Sequence, residues 1–408
     1  MKRNINILLM ACLAVMISAG LVSCDDDDFT ESIFDTTDYP LDQTSYSFPL
    51  DTFCKVHFLE PYNMRYLYKM EDIGSDMDYN LVPCSYDNSI TLAVLCEYLW
   101  FEVYKNEVGE LFLKNYSPKI IHVIGSPAYN PSSGTEVLGT AEGGLKITLY
   151  NANNLDITDI DDLNEKFFKT MHHEFSHILN QNVNRPTDFD LISNGKYNVM
   201  TWQDTPDSVA LGQGFVSPYA SSQASEDWVE VIANYIVKDT LTWNQMLNSA
   251  EYEWETVDEY DASSFDKAVA AGADRDTLGY FVEVSSYSTS GTASTYTIQR
   301  KKVSRDDTGT AIESSDGGWT YLDEDGVNGR SVILEKLEYC RDWLETYFEY
   351  DLEAMRTGVQ KRQWVTDEND DYVFEDGYFI NAFTYPVSDG VTTLIDSLRN
   401  EVLKYAVE

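Results

Sequence analysis

MHHEFSHILNQ, residues Met171–Gln181, decides how this chain is read. At 3.6 residues per turn, four residues of helix sweep about 400°, so His173 and His177 share one face and can aim two imidazoles at one ion. Glu174 then sits beside them as a base for the ion's water, the arrangement a hydrolytic zinc site needs. The other face carries Phe168, Met171, Phe175, Ile178 and Leu179, an apolar stripe that packs into a core and holds the imidazoles still. His172 points about 100° away from the pair and fits a supporting or structural role. The bland alternative is two histidines hydrogen-bonded in a core. Against it stands the scarcity of the residue, five in 408, and the amphipathic helix around the motif.

A catalytic zinc takes three protein ligands and keeps a fourth position for water. No histidine follows His177, and only His57 and His122 remain as distant candidates, so a carboxylate is favoured as the third ligand. SEDWVE, residues 225–230, offers two. Glu226 and Glu230 lie one turn apart on a helix that Ser225 can cap, with Trp228, Val231, Ile232, Tyr235 and Ile236 as its buried stripe. One carboxylate can bind zinc while the other accepts a hydrogen bond from a ligating imidazole and fixes its tautomer. Spacing alone leaves open which does which. In a chain with 69 acids, a merely solvated acidic face is the competing reading.

Working outward, Lys2 and Arg3 precede an apolar run from Ile5 to Val22 that ends in small residues before Cys24, the anatomy of an export signal over residues 1–23. The run is too short and wrongly flanked for a membrane span. Residues 24–50, opening with Asp25–Asp28, form an acidic tether, since a like-charged run repels itself and stays solvated. Residues 51–277 make the catalytic domain, with a helix from Asn88 or Ser89 carrying Leu92, Leu95, Cys96, Leu99 and Val103. Strands follow at Ile120–Ile124 and Leu145–Tyr150, then the motif helix from Asp161 or Asp162, then a long loop over 183–225. Residues 278–330 alternate like strands and read as a β-rich insertion, and residues 331–408 return to helical periodicity. The fold class is α+β.

Removing residues 1–23 takes away two positive and no negative charges, leaving 26 Lys+Arg against 69 Asp+Glu, a balance of −43. Such a field repels nucleic acid and anionic membranes, so no nucleic-acid partner is expected. Cys54, Cys84, Cys96 and Cys340 show no CxxC spacing, which argues against a zinc–thiolate site. Cys96 and Cys340 sit in apolar helical patterns as small buried hydrophobes, although export leaves disulfides open in three connectivities. The acidic stretch Asp367–Gly377 lacks the spacing and glycine of an EF-hand calcium loop.

Several of these stretches resemble known families. LVSC, residues 21–24, resembles the lipobox of bacterial lipoproteins, which implies lipidation of Cys24, and the aspartates after it resemble the surface-export signal of Bacteroidetes lipoproteins. HHEFSHILNQ, SPYASSQASEDWVE and residues 329–356 together resemble the Bacteroidetes zinc-binding metallopeptidases, including the substrate import-associated zinc metallohydrolase lipoproteins. That resemblance implies a zincin-like domain, a Zn2+ cofactor, a peptide or protein substrate, attachment to the outer membrane facing outward, and a TonB-dependent import complex as partner. Residues 278–330 match nothing in it. The spacing of Tyr219, Glu226 and Glu230 is also similar to the metalloprotease domain of anthrax lethal factor. By that likeness Glu226 is the third ligand, Tyr219 donates to the transition state and Glu230 supports a ligand. Two rival functions remain on these residues, a non-catalytic capture lipoprotein of the import system and a zinc amidase or deacylase acting on glycoconjugates. If Leu145–Tyr150 is the edge of the sheet beside the cleft, it can take up an extended peptide as an added strand.

Overall fold

The motif helix starts where the sequence supplies a cap: Asp159 accepts from the backbone N–H of Asp162, and helix runs from Ile160 to Asn182. Within it, Asn164–Phe168 make one wider turn before the regular stretch Lys169–Asn182. Such turns are frequent beside functional sites. The structure is a computed structural model, and it describes residues 41–70, 81–129, 136–137, 139–142, 145–261, 280–287, 293–387 and 390–406. The export signal, Cys24 and Asp25–Asp28 fall outside the described residues. Residues 46–408 make one compact unit.

Among the described residues the helices of this unit are, in chain order, α1 (residues 48–62), α2 (residues 86–107), α3 (Glu110–Tyr116), α4 (residues 160–182), α5 (Phe189–Ile192), α6 (Asp207–Gly212), α7 (Ala224–Val237), α8 (Thr240–Ser249), α9 (Gly329–Phe348), α10 (Leu352–Gln363) and α11 (Leu394–Leu403). Strands β1 (Arg65–Leu67), β2 (Ile120–Val123), β5 (Gly139–Glu142) and β6 (Lys146–Leu149) form a sheet in the order β1-β2-β6-β5. The first three in that order run parallel and β5 pairs antiparallel to β6. Strands β3 (Ala128–Tyr129) and β4 (Glu136–Val137) pair separately. The chain is therefore α+β, with helices predominating.

The core sits between α4 and its neighbours. Phe168, Met171, Phe175 and Leu179 of α4 are fully buried, as are Trp228, Val231 and Ile236 of α7. Trp228 meets Trp343 of α9 edge-on at 5.2 Å, and Phe175 meets Trp100 of α2 at 5.0 Å. The C-terminal carbonyls of α7, which its own ladder leaves unpaired, are taken by α10: Gln360 Nε2 donates to Ile236 O and Val237 O at 3.0 and 2.9 Å. Cys54, Cys84, Cys96 and Cys340 are all buried free thiols.

Five expectations shift. The edge of the sheet is β5 and not Leu145–Tyr150; Gly-Thr-Ala-Glu lacks the β-branched alternation that marks a strand, so its pairing outside β6 is hidden in the sequence. Order begins before residue 51, because Phe48–Cys54 is helical and buries Leu50 and Phe53. The β-rich part begins at Trp254 and not near 278: β7 (Trp254–Asp261), β8 (Tyr280–Tyr287) and β9 (Ala293–Lys301) form an antiparallel sheet in the order β7-β9-β8. Acids in β7 disguise its alternation. The loop over 183–225 contains the short helices α5 and α6. Finally, Ser225 is no cap; α7 starts at Ala224, and Gln223 O receives the N–H groups of Glu226 and Asp227. A small hairpin, β10 (Phe374–Glu375) with β11 (Tyr378–Phe379), precedes α11. No helix among the described residues is long and apolar enough to cross a membrane.

Candidate metal centre

Helices α4 and α7 pack against each other and bring three ligating atoms together. His173 Nε2 and His177 Nε2 lie 3.2 and 3.1 Å from the same oxygen, Oε2 of Glu226. A tetrahedral zinc with ligands at about 2.0–2.2 Å holds those ligands about 3.4 Å from one another. The spacing therefore fits one ion shared by the three, and two imidazoles with a carboxylate are a donor set zinc accepts. Neither His57 nor His122 belongs to it: His57 Nδ1 lies 3.3 Å from Glu97, and His122 is in β2.

Glu230, one turn after Glu226, faces the opposite nitrogen. Its Oε1 lies 2.8 Å from His173 Nδ1, so Nδ1–H donates to the carboxylate and Nε2 keeps its lone pair for the ion. The second oxygen of Glu230 accepts from Ser217 Oγ at 2.6 Å and from Asn234 Nδ2 at 3.2 Å. Burial works against charge on Glu230, but the ammonium of Lys169 and the bonds from His173 and Ser217 outweigh it and hold the carboxyl well below the usual range. Lys169 sits one turn before His173 and pairs with Glu165. Ser217, Asn234 and Lys169 escape the sequence reading. Asn234 carried a signal, lying four residues after Glu230 on the same helix; Ser217 in a loop carried none.

The remaining predicted residues surround this set. Glu174 is buried, 8 % exposed, and burial raises its carboxyl above the ordinary range, which suits a base that must hold and return a proton. The Tyr219 ring lies 5.8 Å from the His173 ring, and the residue remains 38 % exposed. Desolvation and the charge of Glu226 push that phenol up, keeping it a proton donor. Trp202 packs edge-on against Tyr219 at 4.9 Å. His172 is structural: it is fully buried, with Nδ1 3.0 Å from the Tyr104 hydroxyl, and burial lowers it to about 3.

For His173 itself, burial opposes the charged form, yet the two carboxylates prevail and push it up to about 10 when no metal is bound. Glu226 moves the opposite way, its desolvation outweighed by the two imidazoles. The preorganised pocket is thus a place where a proton and a cation compete.

The family described as "Putative zinc-binding metallo-peptidase" matches residues 43–353. The chain is also similar to the crystal structure of a "putative zinc-binding metallo-peptidase" from Bacteroides caccae, at 30 % identity and a TM-score of 0.52, over 77 % of this chain and 91 % of that one. No curated protein matches the chain.

Proposed function

This chain belongs to the "Putative zinc-binding metallo-peptidase" family, and from that premise we propose that it is a zinc-dependent peptidase cutting peptide bonds at the cell surface in support of nutrient import. One observation carries the reading: a single carboxylate oxygen of Glu226 faces Nε2 of both His173 and His177, while Glu230 occupies Nδ1 of His173. His173, His177 and Glu226 would hold the ion. Zinc bound there supplies a water acidified toward a pKa of about 7 and polarises the substrate carbonyl.

Everything else falls to the chain's own groups. Glu174 takes the proton of the attacking water and returns it to the leaving amine. Tyr219 donates to the oxygen on which negative charge develops. Glu230 keeps the His173 ring in one tautomer and orientation. Among the described strands β5, antiparallel to β6, is an edge of the sheet, where an extended peptide could add as a further strand, which favours peptide over other acyl substrates. Acylation of Cys24 would hold the enzyme on the outer membrane facing outward, where a TonB-dependent import complex could receive its products.

Cleavage profiling of the soluble chain from residue 25 tests this, with and without chelator. Chelator-sensitive cutting of a peptide library is the expected result. Zinc-loaded protein that binds peptides without cutting them is a capture lipoprotein, and turnover confined to N-acylated sugars makes it an amidase.

A further inference from the structure

On the same helix as the ligand Glu226, its neighbour Asp227 belongs to a second buried polar cluster. Lys336 of α9 and Asp227 of α7 are both fully buried, and Lys336 Nζ lies 2.7 Å from Asp227 Oδ2. The same ammonium donates to Gly214 O at 2.7 Å and stands 4.1 Å from the centre of the Phe215 ring. Tyr197 adds a hydrogen bond to Asp227 Oδ2 at 3.0 Å. Gly214 has φ +87°, a conformation that side chains rarely adopt, and a Cβ there would stand 2.4 Å from Cγ1 of Val332 on α9. The turn is therefore pressed against α9 as well as bonded to it.

What the turn carries is the metal centre's support. Three residues beyond Gly214, Ser217 donates to Glu230, and Ser217 Oγ also accepts from the backbone N–H of Ala220. Tyr219 follows within the same bend, and Asp227 is the neighbour of Glu226. A buried ion pair is a poor source of stability, since desolvation offsets its attraction and apolar replacements are often neutral or stabilising. Stability is therefore a weak account of this one. We propose that Lys336 is a positioning residue: through Asp227 and Gly214 O it fixes the 214–219 bend against α7, and so sets Ser217 on Glu230 and Tyr219 beside His173.

The inference rests on His173, His177 and Glu226 as the metal site but not on peptide cleavage, and its test reads zinc affinity. In Lys336→Met/Asp227→Leu both charges leave together, so no lone charge stays buried. We expect the zinc-free variant to melt within a few degrees of the native chain while its zinc affinity, measured by competition with a chromophoric chelator, falls about 10–100-fold. On any peptide the native enzyme cuts, kcat should fall more than KM rises. A folded variant with zinc affinity within about twofold of native overturns the proposal. Should the double variant not fold, Ser217→Ala isolates the bond the bend delivers to Glu230. It too should weaken zinc about tenfold or more, and undiminished affinity there overturns the proposal equally.

Discussion

The α4–α7 centre and the β-rich segment from Trp254 to Leu322 use the same acidic side chains in opposite ways. At the centre Glu226, Asp227 and Glu230 are buried, and each meets an imidazole or an ammonium. In the β-rich segment Asp306 and Asp316 are exposed and serve their own turns: Asp306 accepts from the N–H groups of Thr308 and Thr310, and Asp316 from Gly318. Burying a charge is costly unless it is paired, whereas an exposed one is cheap. Among 69 acids, abundance therefore says nothing about function and burial says a great deal.

If that contrast is sound, the largest effect belongs to the buried acid that touches the reacting water. Glu174→Gln should keep about one zinc per chain and lose about 10²–10⁴-fold in turnover, the usual contribution of a general base. Near-native kcat with full zinc would remove Glu174 from the chemistry. Next comes the division of labour on α7. Glu226→Ala opens the coordination shell and should strip the metal, while Glu230→Ala only frees an imidazole and should weaken zinc by about 10–100-fold. Titration giving the reverse order would make Glu230 the ligand and move Tyr219 out of register with it.

A smaller effect sharpens the electrostatics. With His173 pushed up to about 10 in the metal-free site, it carries a proton at neutral pH, and a zinc ligand must be neutral. Zinc binding at pH 7 should release about one proton, so affinity rises with pH until the site titrates near 10. Calorimetry in two buffers of different ionisation enthalpy counts that proton. A count of zero would mean that Glu226 and Glu230 do not hold His173 charged.

How much of this was legible follows from the same physics. Helices α4 and α7 announce themselves through apolar residues at helical spacing, and His173, His177, Glu226 and Glu230 are carried along because they share a face one turn apart. Strand β5 is hidden in Gly-Thr-Ala-Glu, whose pairing is dictated by its neighbour, and the alternation of β7 is masked by the acids in its sequence. Lys169, Ser217 and Lys336 were out of reach for a different reason. A lysine in a helical pattern is ordinarily solvated, and only tertiary packing reveals that Lys336 is fully buried on Asp227, more than a hundred residues away in sequence.

The smallest expected effect tests the other side of the comparison. Lys302 in the β-rich segment pairs with Glu253 at 3.1 Å and Glu324 at 3.0 Å, a triad that resembles the Lys336 cluster on paper. The difference is solvent: the Lys302 side chain is 28 % exposed and Glu324 is 61 % exposed, where Lys336 and Asp227 are at zero. Exposed pairs contribute about 0–1 kcal/mol, because water screens the attraction and ordering two long side chains costs entropy. Glu253 also keeps the backbone N–H groups of Glu324 and Asp325, so removing the ammonium does not orphan it. Lys302→Ala should therefore shift the melting temperature only slightly and leave zinc affinity and kcat unchanged. The triad does sit close to the end of α6, which leads into the bend, since a Cβ on Gly212 would stand 2.7 Å from Tyr252 O, next to Glu253. If Lys302→Ala weakened zinc as much as Lys336→Met/Asp227→Leu, the β-rich segment would be mechanically coupled to the metal centre, and burial would no longer separate the two regions.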